Sequence, residues 1–193
     1  MRNSQARFER KNIRLPDEYY IGRRWYFVTA CCQDRRPVFS DPTRARWLLE
    51  QLREIAALQA FSIHAYCVMP DHVHLLAEGI EESSHLLKFI DRFKQQTGWE
   101  YSQHTDGRLW QKKFYDHILR GKDRPEAVAW YIWSNPMRKG FCSTPEDYAY
   151  SGSFTNLWRV GGEGTQPWIP PWKMDAPGLG RDARLKPAST KAM

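Results

Sequence analysis

The 193-residue chain has no stretch approaching the roughly 18 consecutive apolar residues of a membrane span, and its first residues lack the apolar run of a signal peptide. A cytosolic protein that engages no membrane is expected. Cysteine is scarce: Cys31, Cys32, Cys67 and Cys142 are all there are. None forms a C-x-x-C pair, and the adjacent Cys31 and Cys32 cannot close an ordinary disulfide loop. This excludes a zinc ribbon and a secreted disulfide scaffold, and leaves buried free thiols. No internal repeat is present. Apolar residues are plentiful at 41%, with 14% aromatic, so wholesale disorder is excluded as well.

Negative charge is in deficit. Twenty-nine Lys and Arg face 22 Asp and Glu, a formal net charge of +7. The excess is uneven: residues 1–40 carry net +5, 41–100 net −3, 101–158 net +2 and 159–193 net +3. A basic chain with nine Trp fits either a polyanion partner whose bases stack on aromatics or an ordinary basic surface.

Pattern along the chain gives the elements. Residues 1–20 are polar and basic and read as an N-terminal arm. Residues 25–32 are β-branched and aromatic and predict a strand. Asp41-Pro42 reads as an N-cap with proline in the first turn, and Leu48, Leu52 and Ile55 carry a helix to about Gln59. Strands are predicted over 61–69 and 72–78, joined by a turn at Pro70-Asp71. Ser83 or Ser84 would cap a second helix with the stripe Leu86, Leu87, Ile90 and Phe93, ending near Thr97-Gly98. A fourth strand is expected within 114–119, and a helix starts over 123–126 and ends at Asn135-Pro136. Residues 137–158 read as a turn-rich closing segment, and 159–193 as a Gly/Pro-rich basic tail. Strand–helix–strand–strand–helix–strand is the ferredoxin-like order, an α+β antiparallel sheet with two helices on one face. Its other face is left for a ligand or for the extra helix. The main domain is set at 21–158.

Residues two apart in a strand share a face. His72 and His74 are therefore either a two-imidazole metal site or two partly buried, hydrogen-bonded histidines. On the last helix Tyr131 and Asn135 are four apart and share a face. Asn135 offers an amide oxygen suited to hard cations, and Tyr131 a phenol that ordinarily ionises near pH ~10. Each also has a bland reading: Tyr131 as core aromatic, Asn135 as helix terminator. Tyr115, beside Asp116 and His117 in the fourth strand, is a rival to Tyr131. His64 reads as structural, His85 and His104 as surface.

Taken together, residues 68–76 (Val-Met-Pro-Asp-His-Val-His-Leu-Leu), 109–111 (Leu-Trp-Gln), 114–118 (Phe-Tyr-Asp-His-Ile) and 131–140 (Tyr-Ile-Trp-Ser-Asn-Pro-Met-Arg-Lys-Gly) resemble the single-tyrosine HUH transposases. Within them the chain is most similar to the REP-associated tyrosine transposase branch. Residues 19–29 and 145–151 fit that branch too, so the resemblance spans roughly 18–155.

The resemblance implies a nucleoid-associated, metal-dependent single-stranded DNA endonuclease and strand transferase. It would act at hairpin-forming repetitive extragenic palindromic (REP) DNA through a 5′-phosphotyrosine. His72 and His74 become metal ligands, Asn135 a third amide ligand, Tyr131 the nucleophile and His117 an outer-sphere or DNA-contacting residue. Mg²⁺ or Mn²⁺ is the implied ion, although two imidazoles alone would also suit Zn²⁺. Arg23, Arg24, Arg35, Arg36, Lys112, Lys113, Arg138 and Lys139 are candidate phosphate contacts. The branch's habit favours a monomer over a dimer. Two other classes stay open: a catalytically silent nucleic-acid-binding module of the same fold, and a zinc-dependent hydrolase using water.

Overall fold

The computed structural model describes residues 14–155. Residues 1–13 of the expected arm, and the expected tail from 159, lie outside them. The elements in chain order are β1 (Trp25–Cys31), α1 (Pro42–Leu58), β2 (Phe61–Met69), β3 (His72–Gly79), α2 (Leu86–Ser102), β4 (Tyr115–Ile118), α3 (Pro125–Trp133), α4 (Asn135–Arg138) and β5 (Ser151–Gly152). The strands form one antiparallel sheet in the order β4-β1-β3-β2-β5, which is the ferredoxin-like arrangement with a short fifth strand added at the β2 edge.

Strand alternation builds two cores. Tyr26, Val28 and Ala30 of β1, Val73, Leu75 and Ala77 of β3, and Phe61 and Ile63 of β2 pack against Leu48, Leu52 and Ile55 of α1 and Phe89, Ile90 and Phe93 of α2. Burying each of these larger side chains contributes about 1.5–3 kcal/mol. The opposite face presents Phe27, Leu76, Ala65, Cys67 and Met69, and α3 lies across it through Val128, Ala129, Ile132 and Trp133. Val73 thus points into the two-helix core, and the residues flanking it, His72 and His74, face the α3 side.

The helix starts follow their local chemistry. Asp41 accepts a hydrogen bond from the Thr43 N–H at 2.8 Å, with Pro42 in the first turn. The expected serine cap of α2 does not form: the residue before the helix is His85, with no side-chain cap bond. Ser84 Oγ instead accepts from the Glu81 N–H at 3.0 Å and donates to the Ala60 carbonyl at 2.7 Å, tying the loop to the α1–β2 corner. His85 is not a surface residue either, since its side chain is 9% exposed and meets Asp17 at 3.1 Å.

α2 also runs past Gly98 to Ser102. The buried Thr97 hydroxyl donates to the Phe93 carbonyl at 2.6 Å and accepts from Trp110 Nε1 at 2.9 Å, and Tyr101 is buried one turn on. Tertiary cover outweighs the glycine, whose local cost in a helix is only about 1 kcal/mol.

Two further differences bear on the site. Asp17–Tyr20, in the stretch read as arm, form a 3-10 turn that buries Tyr20, so the packed chain begins before residue 21. The last long helix ends at Trp133, and Asn135 opens α4 with Pro136 behind it. Proline in a first turn satisfies the ring without breaking a ladder bond, so the chain bends at Ser134 and continues.

Candidate active site

His72 and His74 occupy the central strand β3 on the face covered by α3. Their Nε2 atoms converge to 3.1 Å, with the rings 80° apart. Each outer nitrogen has its own partner: Nδ1 of His72 lies 2.6 Å from Asp71 Oδ1, and Nδ1 of His74 lies 2.7 Å from Thr29 Oγ1. Strand register explains the second contact, because Thr29 of β1 is directly opposite His74. Burial pushes His74 well below its ordinary pKa, and the charges of His72, Arg138 and Arg35 act in the same direction. His74 is therefore neutral near pH 7, with a lone pair to offer. Burial acts to raise the Asp71 pKa, but the hydrogen bond to His72 and the charges of His72 and Arg35 outweigh it and hold the carboxyl below its usual range.

Tyr131 packs edge-on against His74. Its ring centroid is 6.3 Å from that of His74 and 5.9 Å from that of Phe27, both edge-on. Asn135 is buried, and its Nδ2 lies 3.4 Å from the Tyr131 carbonyl, so the break at Ser134 keeps the two residues adjacent. Among the described residues no three His, Cys, Asp or Glu side chains gather into a metal site. A third protein ligand beside the two imidazoles would have to be of another type, as the Asn135 amide is. Two converging nitrogens with their outer sides already bonded are residues that would fit a divalent ion, and the buried Asn135 amide, beside the Tyr131 carbonyl, is the further donor on the facing helix end.

The rival tyrosine is placed differently. Tyr115 is 3% exposed, its ring 6.0 Å from Phe27. Burial raises its phenol pKa strongly, and the neighbouring Asp116, Tyr131 and Asp123 add to the effect. Tyr131 is only half-buried. Burial raises its pKa too, but the charge of Arg138 and a hydrogen bond from it oppose the rise. His117 shares the α3-facing side of β4, with Nε2 3.0 Å from Asp123 Oδ2.

The candidate phosphate contacts divide. Arg138 Cζ sits 4.3 Å over the Tyr131 ring, and Nη2 donates to the Tyr131 carbonyl at 2.8 Å. Arg35 Nη1 bonds Asp71 at 3.0 Å, beside His72. These two cations belong to the histidine–tyrosine cluster. Arg23 pairs with Glu82 at 3.3 Å, Arg24 donates to the Ile21 carbonyl at 3.1 Å, and Arg36 donates to the Arg108 carbonyl. Lys112, Lys113 and Lys139 are exposed. Sequence reading missed Thr29 and Asp71. Thr29 could have been found by aligning β1 against β3, and Asp71 by its place beside a ligand candidate rather than in a turn.

A ferredoxin-like sheet with paired histidines on its central strand, faced by a tyrosine on a following helix, defines the class of protein. The chain belongs to the family described as Transposase IS200 like, whose model matches residues 22–135. Its likeness within the family runs to the REP-associated tyrosine transposases. The Escherichia coli K12 REP-associated tyrosine transposase is 28% identical over 138 residues, covering 69% of this chain and 78% of the relative. A Haemophilus influenzae relative is likewise 28% identical over 138 residues, covering 65% of this chain and 77% of its own. The solved structure of a REP-associated tyrosine transposase bound to a REP hairpin shares the fold, with a TM-score of 0.57 at 20% identity over 76% of this chain and 81% of that one. Among the described residues, no helix is long and apolar enough to cross a membrane.

Proposed function

We propose that this protein is a metal-dependent single-stranded DNA endonuclease and strand transferase that acts beside REP-type hairpins through a covalent 5′-phosphotyrosine. The observation that carries the reading is the convergence of His72 and His74 Nε2 at 3.1 Å beneath the half-buried Tyr131. The family membership supports transposition chemistry, and a solved structure of the same fold holds a REP hairpin.

In this reading His72, His74 and Asn135 would hold Mg²⁺ or Mn²⁺, and the ion would polarise the scissile phosphate and stabilise charge on its oxygens. Tyr131 Oη attacks phosphorus. The bond from phosphorus to the 3′ oxygen breaks, that oxygen takes up a proton, and the 5′ end stays on the tyrosine. The phenol proton passes to solvent water, and the positive charge of Arg138 favours the phenolate left behind. Because a phenolate leaves readily, a DNA 3′-OH can attack the adduct and rejoin strands without ATP. Thr29 and Asp71 orient the imidazoles, and Phe27 walls the tyrosine ring. Tyr131 meets His74 of its own chain, which supports a site complete in a monomer. The exposed Lys112, Lys113 and Lys139 are the cations best placed to meet phosphates, and the family setting supports action on the nucleoid.

The test is a labelled hairpin oligonucleotide with single-stranded flanks, incubated with Mg²⁺ or Mn²⁺ and analysed for a denaturant-resistant adduct. We expect an adduct that is lost in Tyr131→Phe and retained in Tyr115→Phe. The opposite pattern would move the nucleophile to Tyr115. Binding without adduct or cleavage would make the chain a silent nucleic-acid-binding module, and cleavage without an adduct would make it a hydrolase.

A further inference from the structure

The chain just past the tyrosine helix carries an exposed aromatic that the phosphotyrosine chemistry does not use. Two backbone bonds close α4: the Gly140 N–H donates to the Met137 carbonyl at 2.9 Å, and the Phe141 N–H to the Pro136 carbonyl at 3.0 Å. Gly140 supplies the left-handed backbone that this closure requires, with φ 73°. The second residue past the cap Lys139 is then held rigidly, and at such helix ends it commonly packs an apolar side chain back on the last turn. Phe141 occupies that position and nevertheless stays 55% exposed.

Phe141 leans on Tyr148, their ring centroids 6.3 Å apart and their planes 39° from parallel. Tyr148 is itself fixed: its hydroxyl donates to the Val68 carbonyl at 2.9 Å, and its ring meets Tyr150 edge-on at 5.8 Å. The Val68 N–H in turn donates to the Tyr150 carbonyl at 2.8 Å. Val68 pairs across the sheet with Val73, the residue between His72 and His74. The aromatic ledge is thereby tied to the histidine-bearing stretch of sheet through β2, and to Tyr131 through α4. Charge around the ledge is divided. Arg138 and Lys139, both exposed, precede Phe141 on the same helix end. Glu146 lines a cleft with Tyr148, and Asp147 accepts from the Thr144 N–H at 3.1 Å. A strand whose phosphates follow the two cations and avoid the two carboxylates turns its bases toward the rings.

We infer that Phe141, propped by Tyr148, is the stacking platform for one unpaired nucleobase of the strand that Tyr131 attacks, with Lys139 meeting the phosphate beside that base. Every base has a π face, so the contact grips the strand without reading its sequence. The platform and the tyrosine share one bent helix end, so a base stacked on Phe141 fixes the path of the strand relative to Tyr131. An exposed phenylalanine would also suit a second copy of the chain. The flanking cations and the element shared with Tyr131 favour the nucleic acid. The inference rests on reading the chain as acting on single-stranded DNA.

The test is metal-free binding of the full chain to a hairpin oligonucleotide with single-stranded flanks, carrying the fluorescent base 2-aminopurine at each unpaired position in turn. A blunt hairpin serves as the control. We expect quenching by stacking at one flank position in the wild type, its loss in Phe141→Leu, which keeps an apolar side chain without a ring, and its return in Phe141→Trp. Phe141→Leu should weaken binding of the flanked hairpin about 5- to 150-fold, the range of one base–aromatic stack, and leave the blunt hairpin unaffected. It should not change the slope of log K against log salt, whereas Lys139→Gln should reduce that slope by about 0.7. Unchanged affinity for the flanked hairpin in Phe141→Leu, an equal loss on the blunt hairpin, or no quenched position would overturn the proposal. Unchanged affinity together with a wild-type self-association that Phe141→Leu abolishes would give this face to a second copy instead. If the wild type quenches as expected but forms no covalent adduct with Mg²⁺ or Mn²⁺, the strand-transfer reading fails and the platform stands.

Discussion

The guanidinium of Arg138 lies 4.3 Å above the ring of Tyr131, two residues joined by a bent helix end beside His74. A cation over the face of a phenol interacts with the ring, and its hydrogen bond favours the ionised oxygen. Burial raises the Tyr131 pKa and Arg138 opposes it, so removing the guanidinium lets burial act alone. Arg138→Ala should slow adduct formation by about 10-fold or more and move the rising limb of the pH–rate profile to higher pH. Rates measured from pH 6 to 10 with the hairpin substrate check this. A uniform loss at every pH would instead mark Arg138 as a phosphate contact.

Tyr20 and Asp116 give a pH-dependent test of stability away from the site. The Tyr20 hydroxyl donates to Asp116 Oδ2 at 2.9 Å. Burial raises the Asp116 pKa despite that bond. A carboxyl raised in the folded state contributes stability that is complete below its unfolded pKa and is lost as pH rises through the folded value. Asp116→Asn should therefore equal or exceed the wild type in stability at pH 7, with its relative gain shrinking toward pH 4. Tyr20→Phe should cost about 1–3 kcal/mol at pH 7 by stranding the carboxylate. Urea melts across pH 4 to 8 measure both.

Thr97 holds the second half of α2 through two bonds. Thr97→Val preserves shape but leaves the Trp110 indole N–H without its acceptor, a loss of about 1–3 kcal/mol. Thermal melts should show it, and Gly98→Ala should be neutral or slightly stabilising because an added Cβ would meet Trp110 only at 3.7 Å.

Salt dependence tests the exposed cations. Replacing Lys112 and Lys113 together by Gln should weaken binding of single-stranded flanks and reduce the slope of log K against log salt by about 1.4, near 0.7 for each phosphate no longer neutralised. Arg23→Gln should change the slope less, because Glu82 already meets that guanidinium.

Much of this was legible along the chain because its periodicity is local. The runs 61–69 and 72–78, with the turn signal Pro70-Asp71 between them, announced a strand pair, and an i, i+4 spacing put Asn135 on the face of Tyr131. The extension of α2 was not legible, since Gly98 reads as a stop until Trp110 and the Tyr101 core contact are seen. β5 is two residues long and carries no pattern of its own. Thr29 and Arg35 are 45 and 37 residues from the histidines they serve, and charge counting assigned Arg35 and Arg138 to phosphates. Only the fold shows that those cations also meet partners within the protein, Asp71 and the Tyr131 carbonyl.

The short fifth strand has a mechanical consequence. The helix that carries Tyr131 ends in Trp133, and the Trp133 indole N–H donates to the Gly152 carbonyl at 2.9 Å. Gly152 pairs with Tyr66, and a side chain there would come within 2.7 Å of the Tyr66 hydroxyl. The edge of the sheet farthest from β4 thus anchors the C-terminal end of the helix that carries the tyrosine, two residues beyond Tyr131 itself.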